Sequence, residues 1–237
     1  MVKRKKVTAQ LFATLRPRLL QHGFERIAGG HAYRDHEATI DVIQIEFFDR
    51  SSHQLWGTSS QSFGINCGVF LKYSPNPFGG EIPLDSDGLM EPDCSICTIR
   101  TYLSRISHEG GGAPPNVWPI TDDLSNLASA ILDVSASIDA QAMNWFRRFG
   151  TADQILKVLR DESEQFEGAS PCFGFGRKDS PIRNLFLGFS AAASGDLKTA
   201  HNALVSSLSK GGFERLSGTK AVDDAIRREI ARLGGRS

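Results

Sequence analysis

The sequence has no excess of charge, few sulfur atoms and no long apolar run. Lys and Arg number 27 and Asp and Glu number 27, so the formal net charge is zero. A chain without a strong field of one sign has no general attraction to nucleic acid, anionic membrane or acidic partners. No stretch approaches the roughly 18–20 apolar residues of a membrane-spanning helix. The first residues also lack a signal-peptide hydrophobic region, because Val2 is followed at once by Lys3-Arg4-Lys5-Lys6. The expectation is therefore a cytoplasmic protein with no nucleic-acid partner and no membrane. Its four cysteines, at positions 67, 94, 97 and 172, are expected to be reduced thiols. The basic tetrad reads as a frayed, solvated terminus. The sequence has no Gly-x-Ser-x-Gly elbow, no His-Glu-x-x-His and no Walker-type loop. That removes the commonest linear catalytic motifs and points to no cofactor.

The strongest pattern present is Ser62–Tyr73, SFGINCGVFLKY. Phe63, Ile65, Cys67, Val69 and Leu71 alternate with other residues at the period of a half-buried strand. Ile40–Phe48 is its expected antiparallel partner. There Val42 sits beside Ile43, which implies either a bulge or burial on the second face. Upstream, Thr8–His22 has a helical stripe of Leu11, Phe12, Leu15, Leu19 and Leu20, with Thr8 as N-cap, a kink or break at Pro17 and a stop at Gly23. Phe24–Asp35 reads as a short hairpin turning at Gly29-Gly30. Asp49–Gln61 reads as a polar loop, and Ser74–Asp93 is too rich in Pro, Gly and Asp for regular structure. Ser95–Ile106 reads as one more strand, with Ile96, Thr98, Arg100 and Tyr102 on one face.

After Pro119 the apolar period changes to 3.6. Thr121 is the expected N-cap of a helix striped by Leu124, Leu127, Ile131, Val134 and Ile138, continued by Trp145, Phe146 and Phe149. Thr151 and Gln154 form a capping box. A loop over Glu162–Asp179 then leads to Ser180-Pro181, which starts a helix hairpin over 181–209, and Thr219–Leu233 makes the last helix. The fold class is α+β: an N-terminal helix, an antiparallel sheet of about four to five strands, then a run of helices. The division expected is an α+β domain over 1–150 and a helical region over 151–237, packed on it or forming a small second domain.

Several local patterns together resemble a bacterial family known as a domain of unknown function (number 4304). They are Leu15-Arg16-Pro17 followed by His22-Gly23-Phe24, the strand pair Val42-Ile43-Gln44-Ile45 and Phe63–Val69, the segment Cys94–Arg100 set against a family pattern Cys-x-Ile-Arg, and Asn144-Trp145-Phe146. The resemblance covers residues 8–160. It implies an α+β fold and supplies no catalytic residues. Leu187-Gly188-Phe189, Gly195-Asp196 and Ala200 to Leu204 resemble a single tetratricopeptide-type hairpin.

Candidate chemistry is sparse. Cys94-x-x-Cys97, with His108 nearby, has the spacing of half a zinc site but lacks matched further ligands. On a strand the two thiols point to opposite faces, so ordinary part-buried cysteines are the expectation over metal or redox roles. His31 and His36 flank a solvated turn. Gly174-Phe175-Gly176-Arg177-Lys178 offers glycines and cations to an anion, but without a phosphate-loop context. Phe48 and Trp56 are candidates for an exposed binding surface, together with Asn66 and Arg100, whereas Phe70 is expected under the C-terminal helices. The function expected is a non-catalytic protein-binding module, toxin-neutralising or regulatory, with a protein partner. The alternative is an enzyme with a site assembled on the sheet from Asp41, Glu46, His53 or Asn66.

Overall fold

A computed structural model describes residues 2–107, 112–168, 171–210, 212–217 and 219–235. The sheet is a simple meander in the order β1-β2-β3-β4-β5, antiparallel throughout. Its strands are β1 (Arg26–Ala28), β2 (His31–Asp35), β3 (Thr39–Phe47), β4 (Phe63–Leu71) and β5 (Ile99–Tyr102). The helices are α1 (Val2–Gln21), α2 (Arg50–Trp56), α3 (Leu127–Ser137), α4 (Met143–Phe146), α5 (Ala152–Asp161), α6 (Pro181–Ala193), α7 (Leu197–Ser209), α8 (Gly212–Ser217) and α9 (Lys220–Gly234). This is the helix–sheet–helices α+β order read from the sequence.

The β3–β4 pair runs in unbroken register from Thr39 opposite Leu71 to Phe47 opposite Phe63. Val42 therefore causes no bulge. It is buried on the second face, while Ile43 and Ile45 face the helices with Ile65, Cys67 and Val69. The main core joins α1 (Val7, Leu11, Leu15, Leu19) to the sheet and continues through Phe146 and Phe186 to Ile226 and Leu233. Tyr73 also bonds Ser190 of α6 at 3.1 Å.

The second face carries a smaller cluster of Tyr33, Ile40, Val42, Phe70, Cys94 and Cys97, with Ile82 and Met90 against it. Phe70 is thus covered by the long 74–97 segment and not by the C-terminal helices. That segment keeps little regular structure beyond a Leu84–Met90 bridge and a short 3-10 turn over Cys94–Ile96.

Other boundaries move for local reasons. The Lys3–Lys6 tetrad lies inside α1, because Lys3 bonds the Asp122 carbonyl and Arg4 bonds those of Ser60 and Phe48. Thr8 is therefore interior and donates to the Arg4 carbonyl instead of capping. Pro17 stays within the helix, whereas Leu20 is exposed. The 49–61 loop contains α2, capped by the Asp49 carboxylate at its start and by Gly57 in the left-handed region at its end. Thr121 caps no helix. Residues 121–126 form a turn held by Asn126, with Leu124 at positive φ, and α3 starts only at Leu127. A π-helical turn over Ile138–Ala142 joins α3 to α4 and presents Asp139 to Arg18 and His22 of the α1 end. The Thr151–Gln154 capping box and the Ser180-Pro181 start are present as read.

The hairpin of α6 and α7 closes at Gly188, where a Cβ would lie 2.5 Å from Leu204. On the central strand β3, Asp41, only 2% exposed, accepts from Nε and one terminal nitrogen of Arg34 at 2.9 and 2.7 Å and pairs with the His36 ring at 2.8 Å. Arg34 in turn lies over the Phe24 and Phe146 rings. Removing one member of a buried charged pair leaves the other uncompensated, at a cost of about 3 kcal/mol. Asp41→Asn is therefore expected to lower unfolding stability by about that amount. A urea midpoint unchanged from wild type would show the pair to be dispensable.

A polar cleft on the second sheet face as candidate functional site

Beyond the apolar cluster, the second face of the sheet turns polar. The two-residue period and the register place Gln44, Asn66 and Tyr102 in one row across β3, β4 and β5. Glu46 follows opposite Gly64, and Arg100 lies opposite Gly68. These side chains floor a cavity of about 300 Å³.

One end is closed by the turn at Asp93. Gln44 donates to the Asp93 carboxylate at 2.8 Å and accepts from the Cys94 amide at 2.9 Å. Burial pushes the Asp93 carboxyl up, but bonds from the Ser95 amide and hydroxyl and from Gln44, with His31 nearby, outweigh it and hold the pKa below its ordinary value. Asp93 is therefore an anion and no proton donor at neutral pH. Asn66 donates to the exposed Glu46 carboxylate at 2.7 Å.

The outer wall comes from far along the chain. Phe173 bridges the outer edge of β5 through two backbone bonds with Arg100. Its ring lies 6.2 Å from Tyr102, 5.5 Å from Phe166 and 5.3 Å from the Arg100 guanidinium carbon. Tyr102 donates to the Phe166 carbonyl, and the Phe166 ring is 60% exposed. Arg100 bonds the Ser95 carbonyl through one terminal nitrogen at 3.1 Å. Its Nε is buried and has no hydrogen-bond partner among the described residues. Gly174 permits this approach, because a Cβ there would lie 2.7 Å from Nε. The cleft thus holds an incompletely satisfied cation, two anions and an aromatic wall.

Of the sequence candidates, Asn66 and Arg100 line this cleft together with Glu46. Phe48 and Trp56 do not line it. They pack edge to face on each other at 4.9 Å, and Phe48 reaches over Gly64 towards the end marked by Asn116. Asp41 lies on the opposite face, and His53 is buried on α2 against the Phe48 carbonyl and Thr58. Of the four enzyme candidates, Glu46 and Asn66 are therefore brought together, and Asp41 and His53 stand apart from them. His108 lies outside the described residues.

Cys94 and Cys97 occupy the 3-10 turn and its end, not a strand. Both point into the apolar second-face cluster, where burial and the neighbouring Cys97 push the Cys94 thiol well up. Gly68 makes room for them: a Cβ there would lie 2.6 Å from the Cys97 sulfur. The glycine-rich loop at 174–176 holds an internal anion, since the amides of Gly174 and Gly176 both donate to Glu164 at 2.8 Å.

Residues 15–148, more than half of the chain, match a family model described as Domain of unknown function (DUF4304). No curated protein and no solved structure matches. The chain belongs to the DUF4304 family.

Gly68→Ala should cost about 1–3 kcal/mol through overpacking, because the Cys97 Cβ, at 2.7 Å, stands nearly as close as the sulfur, and it should cost less in a Cys97→Gly background, which removes both atoms. A denaturation double-mutant cycle that shows simple additivity would contradict the contact. Burial also pushes the Cys172 thiol up from 9.0 to about 11. The native state then keeps a proton that the unfolded chain releases, so stability should fall as pH rises through 9 to 11. Cys172→Ala should make that fall shallower by one thiol's share, the buried Cys67 and Cys94 thiols, also pushed up, keeping the rest.

Proposed function

For this member of the DUF4304 family, we propose a non-catalytic binding module of the bacterial cytoplasm whose second-face cleft receives a segment of a partner protein. The observation that carries the reading is Arg100: a part-buried guanidinium with an unpartnered Nε, laid against an aromatic wall that ends in the exposed Phe166. Arginine and aromatic side chains around a partly desolvated pocket are the residue types that dominate binding energy at protein interfaces. Glu46 and Asp93 beside the cation favour a partner segment carrying both a hydrogen-bond acceptor for Arg100 and a donor or cation for the acids. The same acids oppose a phosphate backbone. Four free, buried cysteines are consistent with a reducing compartment.

The test is affinity selection of a displayed peptide library on the wild-type chain, followed by binding of the enriched peptides to Arg100→Glu and Phe166→Ser. Each substitution should weaken those peptides by about 2 kcal/mol or more, roughly thirtyfold. Enriched peptides that bind both variants as well as wild type would remove the cleft from the function.

A further inference from the structure

The opposite, helix-covered side of the sheet has a groove of its own, between α1 and the β1–β2 hairpin. Its volume is about 580 Å³, with Ala9 and Phe12 on the helix side and Ile27, Ile45 and Phe47 on the sheet side. That falls within the roughly 300–1,000 Å³ of small-ligand sites. Gly30 lets the hairpin come down on the helix, since a Cβ there would lie 3.0 Å from Ile45 and 3.5 Å from Thr8. The trough is apolar along these side chains, and Arg4 and Lys5 stand on its helix wall.

The charge at that end is unbalanced. The positive end of a helix dipole favours anions, yet the first turn of α1 contains no acid and its opening turns carry Lys3, Arg4, Lys5 and Lys6. Arg4 is fixed by the Ser60 and Phe48 carbonyls, with its guanidinium 5.2 Å from the centre of the Phe47 ring. Lys5 is exposed and has no ion-pair partner among the described residues. An apolar trough beside uncompensated cations and a helix N-terminus is complementary to a molecule with an apolar tail and an anionic head. We infer that this groove binds a medium-chain carboxylate, with the tail along Phe12, Ile27 and Ile45 and the carboxylate at Lys5 and Arg4. The site is independent of the polar cleft, which lies on the other face of the sheet.

The probe is decanoate, titrated into the full chain below its micelle concentration and read by calorimetry and methyl NMR. One saturable site per chain is expected, with shifts at Ile27 and Ile45. Octanoate, two methylenes shorter, should bind about tenfold more weakly, and decyltrimethylammonium should not compete. Lys5→Glu, at an exposed position, should weaken decanoate at least threefold and leave decanol unchanged. Ala9→Trp should fill the trough and abolish both. If Ala9→Trp does not fold, the Lys5→Glu comparison and the location of the methyl shifts decide alone. Unsaturable uptake, equal affinity for the cationic and anionic amphiphiles, or decanoate binding unchanged by the substitutions would overturn the inference. So would co-sedimentation with phosphatidylglycerol vesicles without saturable decanoate binding, which would make this face a membrane-surface contact.

Discussion

The pairing of β3 with β4 is the constraint on which the rest depends. Nine consecutive residues of each strand face one another without a bulge, from Thr39–Leu71 to Phe47–Phe63. Because side chains alternate along a strand, that register fixes both faces of the sheet at once. A slip by one residue would send Ile65, Cys67 and Val69 away from the helices and bring Asn66 under them. The helix-facing side is thereby committed to the main core, and the second face is left to be covered by something other than the helices.

The second face is solved in two halves. Towards the Thr39–Leu71 end it is apolar, and the 74–97 segment lies over it with Ile82, Met90, Cys94 and Cys97. Towards the Phe47–Phe63 end it carries Gln44, Glu46 and Asn66, which favour solvent, and the cover stops at Asp93. The cleft is the place where the covering segment ends and the 172–174 segment, paired to β5, begins. Its polarity follows from three even-numbered positions on β3 and β4, and its aromatic wall from a loop about 70 residues away in sequence.

Elements whose signal is local were legible in the sequence. The alternation of β4, the Gly29-Gly30 turn with both glycines at positive φ, the Thr151 capping box and the Ser180-Pro181 start each rest on a few adjacent residues. What was not legible depends on distant partners. α1 extends back to Val2 because Lys3 and Arg4 find carbonyls on three other segments. Cys94 and Cys97 leave strand geometry because Asp93 caps a turn and Gly68, across the sheet, opens space for sulfur. Within the site, Asn66 and Arg100 could be named from strand period alone. Tyr102 could have been added from the register, but Phe166 and Phe173 carry no local mark of their role. Asp41 looked like a reactive carboxylate and is instead consumed by Arg34 and His36.

The two surfaces differ in kind. The cleft offers directional polar groups with an aromatic wall, which suits a peptide segment. The α1 groove offers apolar area with cations beside it, which suits an amphiphile. The central claim, that the open polar half of the second face is where a partner sits, is tested most directly by site-specific photo-crosslinking in cells. A benzophenone amino acid would be placed at Phe166 and, as comparison, at Leu55 and Leu132, which are at least as exposed but lie outside the cleft. A discrete crosslinked protein at position 166, absent at 55 and 132, is the predicted result. Crosslinks at Leu55 or Leu132 with none at position 166 would contradict it.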